Sequence, residues 1–276
     1  MSDPAERIRA HYGQSGLISR IDDALKQVGI DPQKPRYQDL FAFDQLHSRG
    51  IAATKDHADR AGLVPKMHVL DLGCGIGGTS RYLAAERGCR VTGIDLTPEF
   101  VEVAQELARR CGLDGKIAFR QSDALALPFA DETFDHVWCH YVTMNIPDKT
   151  GLAKEVARVL KRGGQFSCAE VAQGPAGPPE YPLPWARDAE ANFLATPEML
   201  RAAVEQAGLR IIEHVDTTAA VLNYARQVAA RVAQGQSHPV GHAFIMGEDF
   251  PVRVRNSSIG FSQGKLLDQF LLAQRM

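Results

Sequence analysis

The residues best suited to chemistry lie between Val69 and Gly78, in the stretch VLDLGCGIGG. An apolar, strand-like run reaches an acid at Asp71, a glycine-dense turn follows, and a helix-prone segment comes next. Glycines in such a turn remove the Cβ atoms that would keep a nucleotide-like cofactor away from the backbone, and a helix N-terminus favours anionic groups. The stretch therefore predicts a backbone platform for a cofactor at the end of a first strand.

Two cofactors fit this turn. The spacing Gly73-x-Gly75-x-x-Gly78 matches the dinucleotide-binding fingerprint. The spacing Asp71-x-Gly73-x-Gly75-x-Gly77 resembles the first motif of class I S-adenosylmethionine (SAM) methyltransferases. The turn alone leaves both alternatives open.

Asp95 does not separate them. It ends the second predicted strand, twenty residues after Gly75. A carboxylate at this place can accept hydrogen bonds from both ribose hydroxyls of NAD or of SAM.

The elements that must position these residues alternate regularly between strands and helices. Such alternation predicts an α/β, Rossmann-like, doubly wound and mostly parallel sheet. The predicted strands cover residues 67–72, 90–95, 117–122, 134–142, 164–171, 209–215 and 266–272.

Helical additions surround the predicted sheet. Residues 1–62 read as an N-terminal helical cap, and residues 63–276 as the cofactor-binding domain. Cap insertions are predicted at about 173–192 and 218–262. Both follow strands, so we expect them to leave from the carboxyl edge of the sheet, where ligands bind in open α/β folds.

Composition limits the partners. The net charge is −2 and no block of Lys or Arg stands out, which disfavours nucleic acid and anionic membrane surfaces. The N-terminus has no apolar leader and no run is long enough to span a bilayer, so we expect a cytoplasmic protein without a membrane partner. Five apolar residues are expected to form either part of the core or the contact of a homodimer: Phe261, Leu266, Leu267, Phe270 and Leu271.

The five cysteines are odd in number and scattered, so neither a disulfide framework nor a CxxC metal site is predicted. His238 and His242 have a metal-ligand spacing, but Pro239 and Gly241 argue against a continuous helix between them. We therefore expect no metal site.

Three later stretches decide between the two cofactors. They are QSDA at 121–124, LPF at 127–129 with FDHV at 134–137, and RVLKRGG at 158–164. Taken in order with the first motif, they resemble the successive motifs of class I SAM-dependent methyltransferases from about Val69 to Val171. The resemblance implies SAM as cofactor, a seven-stranded sheet with an antiparallel last strand, and cofactor roles for Gly73, Gly75, Gly77, Asp95 and Asp123.

Further cofactor contacts follow from residue chemistry. Asp71 can bind backbone amides or the SAM ammonium group, and Asp123, beside Ser122, can accept from the adenine amino group. Leu96 and Ala124 supply apolar contact to the adenine faces. Other expected contacts are the carbonyl of Cys139, the side chain of His140, and a segment placed where relatives close over SAM, which contributes His47, Gly50 and Thr54.

The acceptor is expected to be a small molecule methylated at nitrogen or oxygen. The (N/D)PP(Y/F) motif of amino-group DNA methyltransferases is absent after the fourth strand, where the sequence is CHYVTMNIP at 139–147. The chain is similar to the bacterial small-molecule branch that includes sarcosine/dimethylglycine N-methyltransferases and natural-product sugar methyltransferases. It departs from that branch at Asn145, where many relatives have a histidine, so no histidine base is predicted there.

Four residues are candidates for the acceptor side. His140 is a candidate general base because its ordinary pKa lies near neutrality, and Tyr141 is expected to face the acceptor. Glu170 is a candidate base or amine ligand, and Trp185 a wall of the acceptor pocket. Each has a purely structural alternative. Two other functions also stay open: an NAD(P)-dependent oxidoreductase, and a SAM-binding protein that does not methylate.

Overall fold

A seven-stranded sheet forms the centre of the computed structural model, which describes residues 6–7, 11–13, 16–236 and 241–276. The strand order is β3-β2-β1-β4-β5-β7-β6, with β1 to β5 parallel and β7 antiparallel to both β5 and β6. The predicted fold class is confirmed. The strands are β1 (His68–Leu72), β2 (Arg90–Asp95), β3 (Ile117–Gln121), β4 (Phe134–His140), β5 (Leu160–Gln173), β6 (Leu209–Asp216) and β7 (Leu266–Arg275).

Helices cover both faces of this sheet. We label them α1 (Leu17–Gln27), α2 (Phe41–Asp44), α3 (Ile51–Arg60), α4 (Gly78–Glu86), α5 (Pro98–Arg110), α6 (Lys149–Val159), α7 (Pro197–Gln206), α8 (Thr218–Ala233), α9 (Ala243–Met246) and α10 (Phe250–Ser262). In the part of the chain that the structure describes, none of them combines the length and apolarity needed to cross a membrane.

Alternate residues of the central strands build two cores. Leu70 and Val137 pack with α6 and α7 on one face, whereas Val69 and Trp138 pack with α3 and α4 on the other. Because neighbouring residues of a strand point to opposite faces, both sides of β1 and β4 are apolar, as is typical of buried parallel strands.

Several strand ends differ from the prediction by one to four residues, among them the end of β4 and the start of β5. β4 stops at His140 because Tyr141 has a φ of 57°, in the left-handed region that ends an extended strand. β5 begins earlier, at Leu160, which pairs with Phe134 before a shift in register. The sequence left five apolar residues near the C-terminus as either core or a subunit contact. Three of them, Leu266, Phe270 and Leu271, are fully buried within the chain.

The N-terminal segment and the second insertion meet over the carboxyl edge of the sheet. Leu17 and Ile21 of α1 share one core with Phe43 of α2, Phe100 of α5 and Ile245 of α9. The predicted cap at 1–62 includes residues 1–5, 8–10 and 14–15, and the insertion includes 237–240; these lie outside the described residues, as does His238.

A buried ion pair joins the cap to the sheet domain. The Arg81 guanidinium lies 2.8 Å from the Asp44 carboxylate, and both side chains have no exposed surface. Arg81 also donates to the carbonyl of Ile76, inside the glycine turn, and the Gln45 amide donates to Asp44. Burial raises the pKa of Asp44, although Arg81 opposes this. Each charge therefore depends on the other.

We expect Arg81→Met to lower the free energy of unfolding by about 3–5 kcal/mol, because it leaves a buried carboxylate without its partner. Adding Asp44→Asn should recover much of the loss. Arg109→Met is the control, since Arg109 pairs with Glu106 at the surface. Urea unfolding checks this, and an Arg81→Met midpoint equal to that of the control would contradict it.

Candidate functional site

A cavity of about 280 Å³ opens at the carboxyl ends of β1, β2 and β4. The glycine turn forms its floor, and the segment after α2 and the loop after β4 form its walls. The predicted residues that line it are His47, Asp71, Gly73, Gly75, Asp95, Leu96, Ser122, Asp123, Ala124, His140 and Tyr141. The predicted residues that do not line it are Gly50, Thr54, Gly77, Cys139, Glu170 and Trp185.

Glycine is required in the turn for two different reasons. A Cβ on Gly73 would lie 2.3 Å from Cγ2 of Val142, and one on Gly77 would lie 2.8 Å from Cζ of Phe119, so both allow close protein packing. At Gly75 the nearest neighbour of a Cβ is 3.9 Å away, on Leu46. Gly75 has a φ of 54°, so it supplies the left-handed bend and leaves its backbone open toward the cavity.

The carboxylate of Asp95 is held by the backbone on both oxygens. The amides of Gly75 and Thr97 each donate to it over 2.9 Å. Burial raises the pKa of Asp95, and the Thr97 and Gly75 amides oppose that shift. A carboxylate oxygen has a second lone pair, so Asp95 can still accept from ligand hydroxyls.

Asp123 lies in a tight turn beyond β3. Its carboxylate accepts from the amide of Leu125 over 2.8 Å, and Ser122, Ala124 and Leu96 line the cavity beside it. One acid between small and apolar side chains suits a flat heterocycle that carries an amino group. The structure thus brings together the four residues expected at the adenine end.

Asp71 lies beneath the turn with 2% of its surface exposed. The Ser80 hydroxyl donates to its carboxylate. Burial raises the pKa of Asp71 to about 7, with Ser80 opposing the shift. A cationic ligand in the cavity would favour the ionised form.

The opposite side of the cavity is aromatic. The rings of His47 and Tyr141 stack with centroids 5.1 Å apart and an angle of 8°. The Tyr141 hydroxyl donates to Asp268 over 2.9 Å, and burial raises the pKa of the phenol well above its ordinary value. Thr54 donates to Gln45 and so supports this wall from behind.

His140 lies at the end of β4 and is 9% exposed. The centroid of its ring lies 3.7 Å from the ring centroid of Trp138, and its Nδ1 lies 3.3 Å from Nδ1 of His57. Burial, followed by the effect of His57, holds the pKa of His140 well below its ordinary value. The side chain is therefore neutral at pH 7.

Glu170 and Trp185 are buried away from the cavity lining. Burial raises the pKa of Glu170 to about 8, with Lys149 opposing the shift, and neither of its oxygens has a partner within the described ranges. The Trp185 indole donates to Asn192 over 2.8 Å, and its ring packs in a cluster with Leu183.

Sequence reasoning missed several residues that line the cavity: Tyr12, Asp44, Leu46, Phe100, Val142 and Asn145. Asp44 and Leu46 flank the segment expected to close over SAM, which was the available signal. The others reach the cavity through tertiary packing. Across residues 6–7, 11–13, 16–236 and 241–276, no three His, Cys, Asp or Glu side chains come together as metal ligands.

Comparison with known proteins decides which cofactor the turn serves. Residues 70–168 match the family described as a methyltransferase domain. The chain contains a class I SAM-dependent methyltransferase domain. Its cofactor is SAM, as predicted.

Relatives of the methyltransferase domain share only part of their length with this chain. Methyltransferase GfsG of Streptomyces halstedii is 33% identical over 135 residues, which are 49% of each protein. The 2-methyl-6-phytyl-1,4-hydroquinone methyltransferase of Synechocystis is 47% identical over 108 residues, 39% of this chain and 33% of that protein. The chain thus spans half or less of the length of these curated relatives.

Solved structures extend the likeness in fold to the whole chain. Geranyl diphosphate C-methyltransferase from Streptomyces coelicolor A3(2), crystallised with Mg²⁺, geranyl-S-thiolodiphosphate and S-adenosylhomocysteine, superposes with a TM-score of 0.71. The identity is 20%, and the match covers 100% of this chain and 99% of that one. At this identity the match shows the fold alone.

We expect Asp71→Asn to stabilise the ligand-free protein at pH 8 by on the order of 4 kcal/mol, because a folded chain whose Asp has a raised pKa loses stability when that Asp ionises. The gain should disappear as the pH falls from about 7 to about 4, since Asp71 is then protonated in the folded chain. Asp131→Asn is the control, as that side chain is 71% exposed. Melting curves from pH 4 to 8 check this, and a pH-independent difference between the two variants would contradict it.

Proposed function

We propose that this chain is a methyltransferase that moves the methyl group of SAM to nitrogen or oxygen of a small, largely apolar molecule. The observation that carries the proposal is the cavity itself, in which the glycine turn, Asp95 and Asp123 lie along one side and an aromatic wall along the other. When bound, SAM supplies an electrophilic methyl group on a sulfonium. The chain must then hold the acceptor in line and exclude water.

Cofactor roles are proposed for the residues that line the cavity. Asp95 accepts from the ribose hydroxyls and Asp123 from the adenine amino group, while Leu96 and Ala124 contact the ring. Gly75 exposes its backbone to the cofactor. Gly73 and Gly77 act indirectly, because their missing side chains let Val142 and Phe119 pack against the turn.

The acceptor is proposed to be apolar because the remaining wall is aromatic and aliphatic. Tyr12, Leu46, Phe100 and Tyr141 contribute to it, and no Lys or Arg lines the cavity among the described residues. Burial lowers the pKa of His47 to about 4, so this side chain is also neutral at pH 7. A neutral wall of this kind favours alignment and desolvation over strong acid–base chemistry.

Other assignments stay predictions. Glu170 and Trp185 do not line the cavity. The carbonyl contact of Cys139 with SAM and the closing role of Gly50 and Thr54 stay predictions, and so does the homodimer.

A cytoplasmic location is supported by the five cysteines, all of them free thiols. The relatives named above differ in acceptor, since one is named a C-methyltransferase.

Cofactor binding is tested by Asp95→Ala. We expect SAM to raise the melting temperature while NADH does not, and the variant to lose about 1–3 kcal/mol of SAM binding through its missing hydrogen bonds. Asp131→Ala serves as the surface control. Calorimetry that gives equal SAM affinity for the folded Asp95→Ala variant and the control would remove the ribose assignment.

Methyl transfer is tested with methyl-labelled SAM and matched pairs of acceptors. We expect label in apolar phenols, alcohols or amines and little in the same molecules carrying a carboxylate or phosphate, since none of the described residues puts a Lys or Arg on the wall. SAM binding without transfer to any member of the panel would favour a SAM-binding protein that does not methylate.

A further inference from the structure

Four polar side chains form a row from the surface to the cavity. The Arg49 guanidinium lies 3.1 Å from the Asp56 carboxylate and 3.1 Å from Nε2 of His57. Nδ1 of His57 lies 3.3 Å from Nδ1 of His140, which lines the cavity. Both imidazoles are buried, so each proton in the row has a defined place.

Arginine fixes the direction of these hydrogen bonds. A guanidinium only donates, so Nε2 of His57 must accept. A neutral imidazole has one N–H, which in His57 must then lie on Nδ1 and donate to Nδ1 of His140. The remaining proton of His140 is therefore on Nε2. Burial lowers the pKa of His57 to about 3, which keeps it neutral at pH 7.

The Nε2–H of His140 is one of two neighbouring donors without a partner. Nε2 of His140 and Nε1 of Trp138 are both buried, and neither has an acceptor within the described part of the chain. The two rings lie 3.7 Å apart, and both residues line the cavity. Buried N–H groups without an acceptor cost free energy, so this pair suits a ligand that supplies oxygen atoms.

The charged residues around the cavity indicate which oxygen atoms of a ligand these two N–H groups bind. The residues lining it include four aspartates, Asp44, Asp71, Asp95 and Asp123, of which Asp44 is paired with Arg81, and no Lys or Arg from the described residues. The carboxylate of the SAM amino-acid tail must therefore be bound by neutral donors. His140 is the last residue of β4, and Trp138 lies two residues before it. This strand pairs with β1, whose end begins the glycine turn.

We propose that Arg49 and His57 lock His140 in the Nε2–H tautomer, and that this N–H and the Trp138 indole N–H bind the carboxylate of SAM. This inference rests on the proposed function. It makes His140 a hydrogen-bond donor and removes it as the general base that the sequence suggested. His57 and Arg49 are positioning residues, since they act on the ligand through His140.

The first test compares two ligands that differ in the carboxylate. S-adenosylhomocysteine has the amino-acid tail, and 5′-methylthioadenosine lacks it. We expect His140→Phe to weaken S-adenosylhomocysteine binding about tenfold in calorimetry and to leave 5′-methylthioadenosine binding unchanged. Equal losses for both ligands, or no loss for either, would overturn the carboxylate assignment. If neither ligand binds the native chain, the proposed function itself fails.

The second test measures the tautomer directly by nitrogen-15 NMR of the native chain labelled in histidine. We expect the His140 signals of a neutral ring protonated on Nε2. His57→Leu should remove this preference, and His57→Asn should keep it, because the Asn amide can donate from nearly the same place as Nδ1. A native His140 protonated on Nδ1 would overturn the lock, whatever the ligand affinities are.

Discussion

The molecule depends on a turn that three parts of the protein approach more closely than any side chain would allow. Val142 from the loop after β4 packs against Gly73, and Phe119 of β3 packs against Gly77. At Gly78 a Cβ would lie 2.3 Å from the backbone carbonyl of Asp44. The N-terminal cap, the third strand and the fourth strand are thus placed relative to one turn. Gly75 is left facing the space that they enclose.

Burial sets the chemistry of that space. It lowers the pKa of His47 to about 4, which keeps this side chain of the aromatic wall neutral at pH 7. Beneath the glycine turn it raises the pKa of Asp71 to about 7. Among the aspartates that line the cavity, Asp44 is paired with a buried cation, Arg81. A positively charged cofactor beside aspartates and neutral imidazoles is electrostatically favourable, and it needs no strong base if the acceptor atom already has a free lone pair.

Much of this could be predicted from the sequence, because the deciding signals are local. Seven strands follow from the alternation of elements. The motifs in fixed order carry a family resemblance, and that resemblance implies the antiparallel last strand and points to the residues around Gly75, Asp95 and Asp123. The Arg49–His57–His140 row could not be predicted, since His57 and His140 are 83 positions apart and meet only after folding. Trp185 is a residue whose role the sequence left ambiguous. An aromatic residue in a proline-rich loop can be a pocket wall or a packing anchor, and the structure shows it packed in a buried cluster.

The most direct measurement is a crystal structure of the chain with S-adenosylhomocysteine. The account predicts the ribose hydroxyls at Asp95, the adenine between Leu96 and Ala124, and the amino-acid tail over Gly75, with the sulfur facing the wall formed by His47 and Tyr141. A ligand bound outside this cavity, or one whose sulfur faces away from that wall, would contradict it.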